Sequence, residues 1–159
     1  MTGWGGRAIR LGQWLLGDGY ADYEHAFIVT DAVTDIRREL IVEAMPGGAQ
    51  HVSNWHDPTR TLWLRCPEEH REAVAGAALG FVGVPYSVAD YFSLAARRFH
   101  IPAPGLRRYI RSSGHLICSQ LADAAADRGG WHLFDDRRWE GDVTPGDLAR
   151  LARKQPAIG

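Results

Sequence analysis

The feature that most constrains the fold is a change of hydrophobic period near Pro67, where short apolar runs of strand character give way to helical spacing. Ala26-Phe27-Ile28-Val29-Thr30 and Glu39-Leu40-Ile41-Val42-Glu43-Ala44 are apolar runs bounded by turn residues, as buried strands are. Asp31 to Arg37 would join them as a hairpin, and Met45-Pro46-Gly47-Gly48 would close the second. Thr61-Leu62-Trp63-Leu64-Arg65 alternates and is expected to supply a further strand before Cys66-Pro67. A helix or loop, then strands, then helices define an α+β class, a small antiparallel sheet packed by helices. At 159 residues the chain is expected to form a single domain over 1–159 around one core.

The helices carry recognisable ends. Ala8 to Leu16 has an amphipathic pattern ending at Gly17-Asp18-Gly19. Pro67 suits a first helical position, and Glu68 and Glu69 suit the positive end of the macrodipole of a helix running to about Leu79. Another is expected from Ser87, with Val88, Tyr91, Phe92, Ala95 and Phe99 as its apolar stripe, stopped by Ile101-Pro102-Ala103-Pro104-Gly105. The loop from Ile101 to Gly114 reads as a surface connection or a lid. A fourth helix begins near Cys118 and stops at Gly129-Gly130, the first glycine being placed for a left-handed cap.

In that fourth helix Leu121, Ala122 and Ala125 follow Cys118 by three, four and seven residues, so the thiol heads its buried face. Unsatisfied N–H groups and the macrodipole at a helix N-terminus favour a thiolate. A thiolate acting as a nucleophile needs an imidazole to exchange its proton, and His25, directly before the first strand, is the candidate. Glu43, near the end of the adjacent strand, could accept from the other ring nitrogen and fix the tautomer. His115, three residues before Cys118, is the second candidate base. Taken singly, a free cysteine is usually core, a histidine structural and a strand glutamate solvated; the combination points to chemistry.

Other classes fit the chain less well. A formal net charge of −1 argues against a general grip on nucleic acid. Cys66 and Cys118 lack C-x-x-C spacing, and His51 and His56, five apart beside Asp57, match no zinc pattern and read as a solvated loop, so no metal or organic cofactor is expected. The N-terminus has no basic start followed by an apolar core, and no apolar run approaches membrane-spanning length. The expectation is a soluble chain with no transmembrane segment, cytoplasmic or phage-associated.

Several motifs, in order, carry a resemblance: Ile9-Arg10-Leu11-Gly12-Gln13, His25-Ala26-Phe27-Ile28-Val29 and Val42-Glu43-Ala44-Met45-Pro46-Gly47-Gly48. Gly83-Val84-Pro85-Tyr86, Cys118-Ser119-Gln120-Leu121 and Val143-Thr144-Pro145-Gly146-Asp147-Leu148 continue it. Over nearly its whole length the chain resembles the circularly permuted branch of the NlpC/P60 superfamily of papain-like cysteine hydrolases, in which the histidine strand precedes the cysteine helix. The resemblance implies base His25, polar third residue Glu43, nucleophile Cys118, and Tyr86 beside the cleft as a substrate-binding residue. It attaches no catalytic role to Gln120.

The implied chemistry is acyl transfer through a thioester, with an amide in a peptidoglycan stem or a similar small peptide as the leading substrate. The Cys118 backbone N–H is the expected oxyanion donor. Lipid-directed acyltransferases and thioester-handling enzymes share the Cys-His pair, so a lipid acyl substrate is the enzymatic alternative; Trp14, Trp55, Trp63, Tyr91 and Phe92 are available to line an apolar channel. A non-catalytic binding or virion structural module is the third reading, against which the intact trio argues.

Overall fold

The computed structural model describes residues 23, 25–33, 38–45, 47–54, 56–57, 59–85, 117–135 and 143–155. Among them are strands β1 (Phe27–Val33), β2 (Arg38–Met45) and β3 (Gly48–Asn54), a 3₁₀ turn (Glu68–His70), and helices α1 (Arg71–Leu79), α2 (Cys118–Arg128) and α3 (Pro145–Lys154). The strands form one antiparallel sheet in the order β1-β2-β3, so the architecture is α+β. The expected helices at Ala8 to Leu16 and from Ser87, and the loop from Ile101 to Gly114, lie outside the described residues.

Phe27-Ile28-Val29 and Leu40-Ile41-Val42 form the apolar centre of the sheet, as β-branched and aromatic side chains do on a pleated surface. Both strands run further than their apolar runs: β1 continues to Val33 and β2 starts at Arg38. A bulge between Val29 and Asp31 interrupts the register. There the Thr30 hydroxyl donates to the Leu40 carbonyl at 3.0 Å.

The third strand is not the expected one. It is Gly48–Asn54, and 61–67 has no regular secondary structure. Met45 pairs with Gly48, so the chain reverses over two residues and runs straight back along β2. Gly48 has φ +122°, and a Cβ there would stand 3.1 Å from the Val84 carbonyl oxygen, so both backbone shape and close approach require glycine. The Ala49 N–H donates to that same oxygen at 2.8 Å, and the Gly83 N–H to the Ala49 carbonyl at 2.8 Å, so the 83–84 segment docks on the start of β3. Gln50, His51, Ser53 and Asn54 are exposed, which is why β3 does not read as a buried strand. Arg65 instead gives its N–H to Gln155 Oε1 at 2.8 Å and its carbonyl accepts from Gln155 Nε2 at 3.1 Å, so a side-chain amide at the end of α3 does the work of a ladder.

Side chains on alternate positions send Val42 and Ala44 to the helices, where they pack with Ala49, Ala78, Phe81, Leu121, Ala125 and Cys118. Burying a side chain such as Leu121 completely is worth about 2 kcal/mol. On the other face lie Phe27 and Glu43, cross-strand partners. Trp63 meets Phe27 edge-on at 5.8 Å between centroids, and the His56 ring stacks on Phe27 at 4.0 Å while its Nδ1–H donates to Glu39 Oε2 at 3.1 Å. His51 and His56 are therefore not solvated-loop residues. His51 is in β3, with Nε2–H donating to the Thr30 hydroxyl at 3.0 Å, and His56 covers the sheet.

Helices α1 and α2 approach closely at Gly129. Its φ is −80°, so the left-handed residue after α2 is Gly130, at φ +80°, and not the first glycine. Gly129 is needed for a different reason: a Cβ would lie 2.7 Å from both the N and the Cα of Val74. Those are backbone atoms, which cannot swing away. Gly129→Ala is expected to destabilise the chain by about 1–3 kcal/mol, the range for overpacking, read as a lowered midpoint in urea unfolding. Unchanged stability would show that the two helices can separate without loss.

Candidate active site

The site is assembled where the N-terminus of α2 meets the end of the sheet. Ile117 is extended (φ −93°, ψ 167°) and donates its N–H to Gln120 Oε1 at 3.1 Å. Isoleucine has no side-chain oxygen, so this cap is one-sided, made by Gln120 alone. Gln120 is 1% exposed, and Ser119, completely buried, donates its hydroxyl to the Val143 carbonyl at 2.7 Å. Val143 leads into the capping box of α3, in which Thr144 Oγ1 accepts from the Asp147 N–H at 3.0 Å and the Thr144 N–H donates to Asp147 Oδ2 at 3.1 Å. The first turn of α2 is thereby locked on both sides of the thiol. Cys118 is 2% exposed, on the same buried face as Leu121, Ala122 and Ala125.

His25 stands two residues before Phe27, the partner of Glu43, and so is diagonal to that glutamate across the two strands. Its Nε2 lies 2.7 Å from Glu43 Oε2, and its ring also hydrogen-bonds Cys118. Burial by itself would lower the proton affinity of this half-buried ring; hydrogen bonds to Cys118 and Glu43, and the negative charge on each, outweigh it and raise His25 to about 9. At neutral pH the ring is an imidazolium with a carboxylate on one side and sulfur on the other.

Glu43 is buried at 7% exposure and ionised. The hydrogen bond from His25 lowers its pKa against the opposing effect of burial, helped by a bond from Gln50 and by the charges of His25 and His56. Gln50 Nε2 donates to Glu43 Oε1 at 2.9 Å. Sequence reading missed Gln50, because its place opposite Glu43 follows from the β2–β3 register and that hairpin was not foreseen. The available signal was the Gly-rich, two-residue reversal between Met45 and Gly48: counting outward from that pair puts 43 against 50.

The structure thus brings Cys118, His25 and Glu43 together. Tyr86 and His115 lie outside the described residues, as do Trp14, Trp55, Tyr91 and Phe92. Trp63 packs on Phe27. Cys66 is a different kind of thiol: burial pushes its pKa up, and its carbonyl accepts from Arg71 Nε at 3.2 Å. Among the described residues no group of three or more His, Cys, Asp and Glu side chains is arranged to hold a metal, and no helix is long and apolar enough to cross a membrane.

What fold and site define is a small α+β protein in which Cys118 at a helix N-terminus, His25 and Glu43 meet at the end of a sheet. Comparison with protein-family models, curated proteins and solved structures found no match to this chain.

Proposed function

We propose that this chain is a cysteine hydrolase of the permuted papain-like, NlpC/P60-like kind, cleaving an amide bond through an acyl-enzyme. The observation that carries this reading is the continuous hydrogen-bonded chain from Cys118 through His25 to the buried carboxylate of Glu43. A relay of this composition performs nucleophilic acyl transfer. The Cys118 thiolate attacks the carbonyl carbon, and the positive end of α2 favours the negative charge that forms there. As the C–N bond breaks, the His25 imidazolium gives its proton to the departing amine, leaving a thioester on Cys118. The now neutral His25 takes a proton from water, hydroxide adds to the thioester, and the acid product departs with the thiolate and imidazolium restored. Glu43 holds the ring orientation and stabilises its charge throughout.

The substrate class rests on the resemblance: a peptide amide of a peptidoglycan stem, or a similar small peptide, with a lipid or thioester acyl group as the outcome that would redirect the assignment. The test is alkylation of the full chain by iodoacetamide across pH, followed by peptide mass spectrometry with Cys66 as the internal comparison. Cys118 is expected to react well below pH 7 and to lose that reactivity in His25→Ala, whereas Cys66 reacts only near or above the free-thiol range of about 8.5. A Cys118 that titrates like Cys66, or ignores the loss of His25, would overturn the reading in favour of a non-catalytic binding module.

A further inference from the structure

The geometry points to Gln50 as a positioning residue that fixes the plane of the Glu43 carboxylate, and through it the orientation of the His25 imidazole. Gln50 is the direct cross-strand partner of Glu43 and donates Nε2–H to Oε1 at 2.9 Å, while His25 Nε2 sits 2.7 Å from Oε2. A carboxylate held by one donor can turn about its last torsion. Two donors, one on each oxygen, remove that freedom. The three residues come from three successive pieces of the sheet: His25 before β1, Glu43 in β2 and Gln50 in β3. The rigidity of the sheet is thereby passed to the imidazole. The other groups acting on this trio are Cys118 from α2, on the far side of the ring, and His56 from the covering segment, whose charge acts on Glu43.

Gln50 is an exposed side chain of β3, so replacing it leaves the core untouched. A merely structural amide at that place would have no influence on the proton affinity of an imidazole it does not touch. If Gln50 holds Glu43 in place, removing its N–H lets the carboxylate turn away, the His25–Glu43 bond weakens, and His25 releases its proton at lower pH. The importance of this for turnover rests on the cysteine-hydrolase reading, but the positional claim does not.

The experiment is an NMR titration of the histidine ring signals in the full chain, comparing the parent with Gln50→Met, which keeps the length and loses the donor. The expected result is a fall in the His25 midpoint of about one pH unit in Gln50→Met, equivalent to the loss of one charge-assisted hydrogen bond. Thermal unfolding of the variant verifies the fold. An unmoved or raised His25 midpoint in Gln50→Met overturns the assignment. Cys118 alkylation in the same samples separates the two ideas: a lowered His25 midpoint beside an unreactive Cys118 upholds Gln50 and sinks the hydrolase reading.

Discussion

Cys118→Ala is expected to lower turnover by about 10⁴-fold or more, because residues that act as a relay lose nearly all of their joint effect when the nucleophile goes. The fold should survive. Cys118 packs beside Val42, Leu121 and Ala125, and replacing its SH group by hydrogen leaves a void of about one heavy atom, costing about 1 kcal/mol. Turnover of a peptide amide and urea unfolding, measured on the same preparation, separate the two effects. Cys118→Ser should be similarly inactive, since a hydroxyl is not ionised by an imidazole at neutral pH. An alanine variant that still turns over would end the mechanism outright.

His25→Ala is expected to be comparably severe, and the pH profile of the parent should show why. His25 is raised to about 9, so its protonated form prevails below that value and is lost above it. In the proposed amide cleavage the leaving amine needs that proton, so turnover should decline as pH rises through about 9, well above the ordinary histidine value of 6.5. Glu43→Gln should cost less rate, because an amide oxygen still accepts from the ring, but it removes the negative charge and should bring the alkaline decline to lower pH. A profile unchanged in Glu43→Gln would detach Glu43 from the base. Glu43 acts at the other end of the range: its pKa is lowered, so the stability it contributes is present above its ordinary value of 4.5 and lost as pH falls through its lower folded value.

Much of the site was legible because its signals are local. The apolar runs around Ile28 and Val42 have the length and composition of strands, and the spacing from Cys118 to Leu121, Ala122 and Ala125 is that of one helix face. Once two adjacent strands are antiparallel, His25 and Glu43 fall on neighbouring ends of the same face, which is why they could be paired without coordinates. The error over the third strand has an equally local cause. Ala49-Gln50-His51-Val52-Ser53-Asn54 is polar because most of its side chains are exposed, whereas Thr61-Leu62-Trp63-Leu64-Arg65 alternates because Trp63 covers Phe27 while the Arg65 backbone bonds Gln155. Period measures which side chains are covered; it does not say whether a strand or a side-chain amide satisfies the backbone. The glycine after α2 shows the same limit. Its closeness to Val74 is a contact across 55 positions of sequence, and a cap rule applied to neighbours alone finds Gly130's conformation in the wrong residue.

By itself the amino-acid sequence determined the two apolar strands, the helix with a thiol at the head of its buried face, and the types of residue that a relay would need. Those properties depend on side chains within a few positions of one another. Only the tertiary structure decided that β3 follows at once, that Gln50 therefore stands against Glu43, that Gln155 takes the place of a strand for Arg65, and that the thiol and the imidazole meet. These depend on the register of a hairpin and on contacts between segments far apart in the chain, where a shift of one residue would turn every side chain to the opposite face.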